Sequence, residues 1–80
     1  MDSSTLELHQ EIGGWRDYLD GRPIHCGDQL MLLTDAGWIW ARYEADLRPG
    51  SDAAGYLEST DRTRTLDRVQ MRFRWPTRDD

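Results

Sequence analysis

The most reactive side chains in the sequence stand together at His25-Cys26-Gly27-Asp28. An imidazole, a thiol and a carboxylate so close together match two chemistries, a thiolate nucleophile and a transition-metal site. Neither is complete. A structural zinc takes four ligands and a catalytic one three, and His9 is the only other His or Cys in the chain. A cysteine nucleophile needs a histidine turned toward it and a lowered thiol pKa. Neighbours on a strand point to opposite faces, so His25 and Cys26 should diverge. The plainer role is a tight turn with Cys26 as a small filler. None of the ten basic residues is lysine, which excludes a phosphate-loop lysine and a Schiff base. Fifteen carboxylates show no spacing that singles out an acid/base pair, and nucleophile-elbow and Cys-x-x-Cys motifs are absent. The expectation is a non-catalytic chain with no metal and no cofactor.

Binding remains, and the stretch Gly37-Trp-Ile-Trp-Ala-Arg-Tyr-Glu44 directs attention to it. Read as a strand, it has two unlike rows. Ile39, Ala41, Tyr43 and Ala45 form an apolar row suited to a core. Trp38, Trp40, Arg42 and Glu44 form the other, two indoles followed by a pair of charges. In the preceding "QLMLL", Leu30 and Leu32 would share the core, leaving Met31 and Leu33 beside the tryptophans. That second apolar face needs a cover. Either the N-terminal segment supplies it through Leu6, Leu8 and Ile12, or a partner does, since Trp and Arg are enriched at interface hot spots. Trp38, Trp40, Arg42 and Glu44 are therefore the candidate partner-binding residues.

A second candidate lies in "RVQMRFRW". Val69, Met71, Phe73 and Trp75 alternate with Arg68, Gln70, Arg72 and Arg74, the pattern of a half-buried strand with an arginine-rich outer face. With Arg62 and Arg64 these arginines form an alternative surface for RNA or single-stranded DNA. Charge opposes that alternative. The net charge is −5 and the isoelectric point about 4.8, whereas nucleic-acid-binding domains are basic. Residues 1–60 carry eleven acids against four arginines, and residues 61–80 four acids against six. The acidic part suits electrostatic steering toward a protein partner with a basic surface.

These residues must be positioned by a single small domain, because 80 residues hold one core. Asp20-Gly21 signals a two-residue hairpin turn, Pro23 an edge position, and Gly27 a tight turn. Ser4 with Glu7 has capping-box spacing, while Leu6, Leu8 and Ile12 also fit a strand, so residues 1–14 read as a short helix or a strand. Residues 15–76 read as the β domain and 77–80 as a frayed tail. The expected fold is mostly β, a small bent sheet or SH3-like barrel of five to six short antiparallel strands. No apolar run is long enough to span a membrane, the N-terminus lacks signal-peptide character, and a lone cysteine suits a reducing, cytoplasmic location.

The run "PIHCGDQLMLL…GWIWARYE", with a following Tyr-Leu strand and an Arg-rich last strand, resembles a family of short bacterial and mobile-element domains of unknown function. The resemblance spans Pro23 to Arg74 and implies a small β fold without catalytic residues. In size and acidity the chain also resembles small phage proteins that block bacterial defence complexes such as CRISPR effectors. That likeness implies an inhibitor that covers a basic nucleic-acid-binding surface of its target. The chain is expected to be a monomer or, through the tryptophan strand, a homodimer.

Overall fold

The computed structural model describes residues 3–80. The fold is all-β, with two antiparallel sheets and no helix among the described residues. The smaller sheet has the order β1-β2-β3, with β1 at Glu7–Glu11, β2 at Gly14–Leu19 and β3 at Arg22–Pro23. The larger has the order β7-β6-β5-β4-β8. Its strands are β4 (Gln29–Thr34), β5 (Gly37–Ala45), β6 (Gly55–Glu58), β7 (Thr63–Thr65) and β8 (Phe73–Arg74). The N-terminal segment is thus a strand and not a helix. Among the described residues there are eight strands in place of the expected five to six, because three of them are only two or three residues long.

Turn chemistry sets the registers. Asp20 and Gly21 both take positive φ (52° and 77°), the geometry of the type I′ turn that Asp-Gly favours. Leu19 is thereby placed opposite Arg22. At the β4–β5 turn Thr34 Oγ1 donates to the Gly37 carbonyl at 2.8 Å and accepts from Ala36 N at 3.1 Å. This aligns Leu32 with Ile39, Leu30 with Ala41 and Met31 with Trp40. The sheets are joined where Ser4 and Phe73 exchange backbone hydrogen bonds (2.9 and 2.8 Å) and where Trp15 N donates to the Leu47 carbonyl (2.8 Å). The second junction depends on Gly14, whose φ is +125° and where a Cβ would sit 1.9 Å from the Leu47 oxygen.

The core lies between the sheets. Leu6, Leu19 and Ile24 meet Leu30, Leu32, Ala41, Tyr43, Leu57 and Phe73, with Ile39 and Ala45 packed at its margin. The apolar row of β5 therefore faces inward, as its alternation requires.

The C-terminal strand departs from its expected form. Only Phe73–Arg74 pair with β4. Residues 67–71 make a turn instead, in which Asp67 Oδ1 accepts from Val69 N (3.0 Å) and Gln70 N (3.1 Å), and Met71 N donates to the Asp67 carbonyl (3.0 Å). Aspartate binding its own downstream amides outcompetes the ladder here. Val69 is left exposed, while Phe73 is buried. Residues 77–80 fold back on the sheet, and both Asp80 carboxylate oxygens accept from Arg74 at 2.7 Å.

Candidate functional site: the outer face of the larger sheet

Pairing places Trp38 opposite Leu33, Trp40 opposite Met31, and Met31 opposite Arg74. All five side chains share the face turned away from the core. Met31 lies in the middle of this block and is 4% exposed; Leu33 (43%) and Trp40 (42%) stay open at its surface. Trp38 is half-buried, with the Arg74 guanidinium carbon 4.7 Å from its ring centroid. Asp80, its carboxyl held far below the ordinary range mainly by the Arg74 hydrogen bonds and then by Thr77 N, fixes that guanidinium in place.

Among the described residues, Leu6, Leu8 and Ile12 do not cover this face. Leu6 is in the core on the other side of the sheet, Leu8 belongs to β1, and Ile12 is fully exposed at the β1–β2 turn. The cover expected from these three residues is absent, because β1 is drawn to β2 by a five-pair register.

Along β5 the face becomes polar. Arg42 reaches Glu58 Oε2 at 2.7 Å on β6, and its Nε lies 3.3 Å from Glu44 Oε2. Trp40 and Arg42 form one side of a shallow groove of about 570 Å³, completed by Gln29, Glu58, Ser59 and Thr60. All four candidate partner-binding residues, Trp38, Trp40, Arg42 and Glu44, are thus on one surface.

The alternative arginine surface is not brought together. Arg68 turns inward to the carboxylate of Asp17, which is fully buried (Nε–Oδ1 2.6 Å, Nη2–Oδ2 2.8 Å), and also donates to the Ala53 carbonyl at 2.7 Å. Arg74 belongs to the Trp38 face. Arg64 is held by Ser59 (2.6 Å) and Asp61 (3.2 Å), and Arg72 donates to the Ser3 carbonyl (2.6 Å). Arg62 is exposed, with Nε 4.0 Å from Asp61. The expected row required a continuous strand over residues 68–74, and the Asp67 turn breaks it.

The network around Asp17 is the feature that sequence reasoning missed. Tyr43 OH donates to Asp17 Oδ2, and burial first, then that hydrogen bond, push the phenol well above its ordinary pKa. A signal was present. Asp17 sits between Trp15 and Leu19 in a row that alternation turns inward, and a buried carboxylate needs a partner.

At the turn before β4, the reactive cluster divides. His25 stays with Asp28, its backbone N donating to Asp28 Oδ2 (2.9 Å) and its Nδ1 3.8 Å from the same oxygen, whereas Cys26 Sγ donates to the Ala45 carbonyl (3.2 Å). Both side chains are exposed. Among the described residues, no three His, Cys, Asp or Glu side chains converge as metal ligands, and no helix is long and apolar enough to cross a membrane. No protein-family model, curated protein or solved structure matches the chain.

Proposed function

We propose that this protein is a non-catalytic protein-binding module whose contact surface is the Trp38–Trp40–Leu33 block with the adjoining Arg42, Glu44 and Glu58. The observation that carries the reading is the open pair Trp40 and Leu33, set on the outer face of the larger sheet beside the Arg74–Asp80 pair that packs over Trp38. A rigid indole beside an arginine and an ion-paired rim is the composition of an interface hot spot. Charge supports a basic partner. Seven of the ten arginines lie within 4.0 Å of carboxylates of the same molecule, so the net −5 resides in the remaining surface acids. The concrete form is occlusion: an acidic domain, carried by a phage or mobile element, covers the nucleic-acid-binding surface of a bacterial defence complex.

The test is affinity capture with the intact protein, followed by calorimetry on the protein retained. Trp40→Ala combined with Arg42→Ala should keep the fold and weaken binding by about 2 kcal/mol or more. A folded double variant that binds as tightly as the parent would overturn the assignment. Affinity lost steeply with added salt, and competed by RNA or single-stranded DNA, would instead favour direct nucleic-acid binding.

A further inference from the structure

The smaller sheet ends in β1, and its outer edge has no strand beside it among the described residues. Two hydrogen bonds show which groups this edge presents. Ile24 N donates to the Asp17 carbonyl and Trp15 N to the Leu47 carbonyl, both at 2.8 Å and both away from β1. Asp17 and Trp15 stand opposite Leu8 and Gln10. In an antiparallel ladder these are therefore the pairs that exchange no hydrogen bonds, and Leu8 and Gln10 aim their N–H and C=O groups at the free edge.

The other edges are blunted. β3 is two residues long and ends in Pro23, β8 is closed by Ser4, and β7 has three residues. β1 has five, regularly paired, with no proline or bulge; its protection is the charge of Glu7 and Glu11, which repels like-charged strands and leaves the edge open to a basic one. Glu7, His9 and Glu11 form its solvent row, with Glu7 Oε1 3.4 Å from His9 Nε2 and Glu11 accepting from the Tyr18 hydroxyl (2.6 Å) and lying 3.9 Å from Arg16 Nε, and Ile12 is fully exposed at its end.

We infer that β1 is a docking edge for an extended, basic segment of a partner protein, added as a fourth strand to the smaller sheet. Main-chain hydrogen bonds from Leu8 and Gln10 supply the pairing. Lysine or arginine side chains at alternate positions of the segment meet Glu7 and Glu11 across the strands. The charges also select against a second copy of this chain. The antiparallel register that pairs the whole of β1 with itself sets Glu7 opposite Glu11 at both ends, and like charges directly opposite destabilise a sheet. This inference uses a different sheet from the proposed binding face and does not rest on it.

The probe is a peptide of alternating Lys and Val, compared with its Glu/Val counterpart, added to the whole protein and followed by amide NMR and hydrogen exchange. The Lys/Val peptide should bind and slow exchange at Leu8 and Gln10, and the Glu/Val peptide should not bind. Gln10→Pro removes an outward donor without touching the β1–β2 ladder, and should weaken binding about tenfold. Glu7→Lys leaves the backbone intact and should shift preference toward the Glu/Val peptide, so it decides the question even where the proline variant does not fold. Trp40→Ala should leave peptide binding unchanged. Absence of Lys/Val binding, shifts confined to Trp38 and Trp40, or protection of Leu8 and Gln10 that rises with protein concentration alone would each overturn the inference.

Discussion

Arg68→Met is the substitution whose outcome depends most on the chain's path. Asp17 is fully buried, and Arg68, with 20% of its side chain exposed, supplies two of the hydrogen bonds to its carboxylate. Without Arg68, the Tyr43 hydroxyl is the one side-chain donor left to it among the described residues. Removing one partner of a buried pair costs about 3–5 kcal/mol. Water reaching the partly exposed Arg68 position favours the lower end, about 3 kcal/mol. A domain of this length has a total stability of about 4–12 kcal/mol, so the variant sits near the edge of folding. With a urea slope of about 1 kcal/mol per molar, the midpoint should fall by about 3 M. Urea titration followed by tryptophan emission and circular dichroism measures this. Asp17→Asn together with Arg68→Met should cost at least about 2 kcal/mol less than the sum of the single changes, because no unpaired charge is left behind. A loss below about 1 kcal/mol for Arg68→Met, additive with Asp17→Asn, is the behaviour of an exposed pair. It would refute the inward path of residues 67–71.

Alkaline pH should destabilise the protein through Tyr43. Its folded pKa is raised above the ordinary 10.0, so the contribution is fully present below pH 10.0 and declines as the unfolded state alone loses the proton. Above that pH, Tyr43→Phe should lessen the loss by about 1.4 kcal/mol per pH unit, measured by urea titrations at stepped pH. Gly14→Ala should cost at least about 3 kcal/mol, since its Cβ would collide with the Leu47 carbonyl and its φ is strained for any side chain. Gly13→Ala, with nothing within 4 Å, should stay within about 0.5 kcal/mol, and parallel thermal melts separate the two.

Local signals in the sequence located the parts of the fold governed by local physics. Asp20-Gly21 specified its turn, and the alternation in residues 37–45 sorted Ala41 and Tyr43 from Trp38 and Trp40. The last strand misled because Val69, Met71, Phe73 and Trp75 alternate cleanly while Asp67 captures the amides of Val69 and Gln70. Periodicity reports what a strand would bury and is silent on a competing turn. The Asp17–Arg68 pair was hidden for another reason: its partners lie 51 residues apart, a separation that no local pattern encodes. The tryptophan face was legible as a face, but what covers it was not. The choice between Leu6 entering the core and lying over Trp38 is made by the β1–β2 register and the Ser4–Phe73 bridge, both long-range pairings.

Trp40 is exposed on the outer face of the larger sheet, where the proposed partner would close over it. Acrylamide quenching of the wild type minus that of Trp40→Phe isolates this indole from Trp15 and Trp75, whose Nε1 groups donate to the Ser51 and Leu19 carbonyls. The free protein should show a red-shifted, readily quenched component that becomes shielded when the captured partner is added. A Trp40 component already shielded in the free monomer, or one equally quenched with the partner bound, would contradict that proposal.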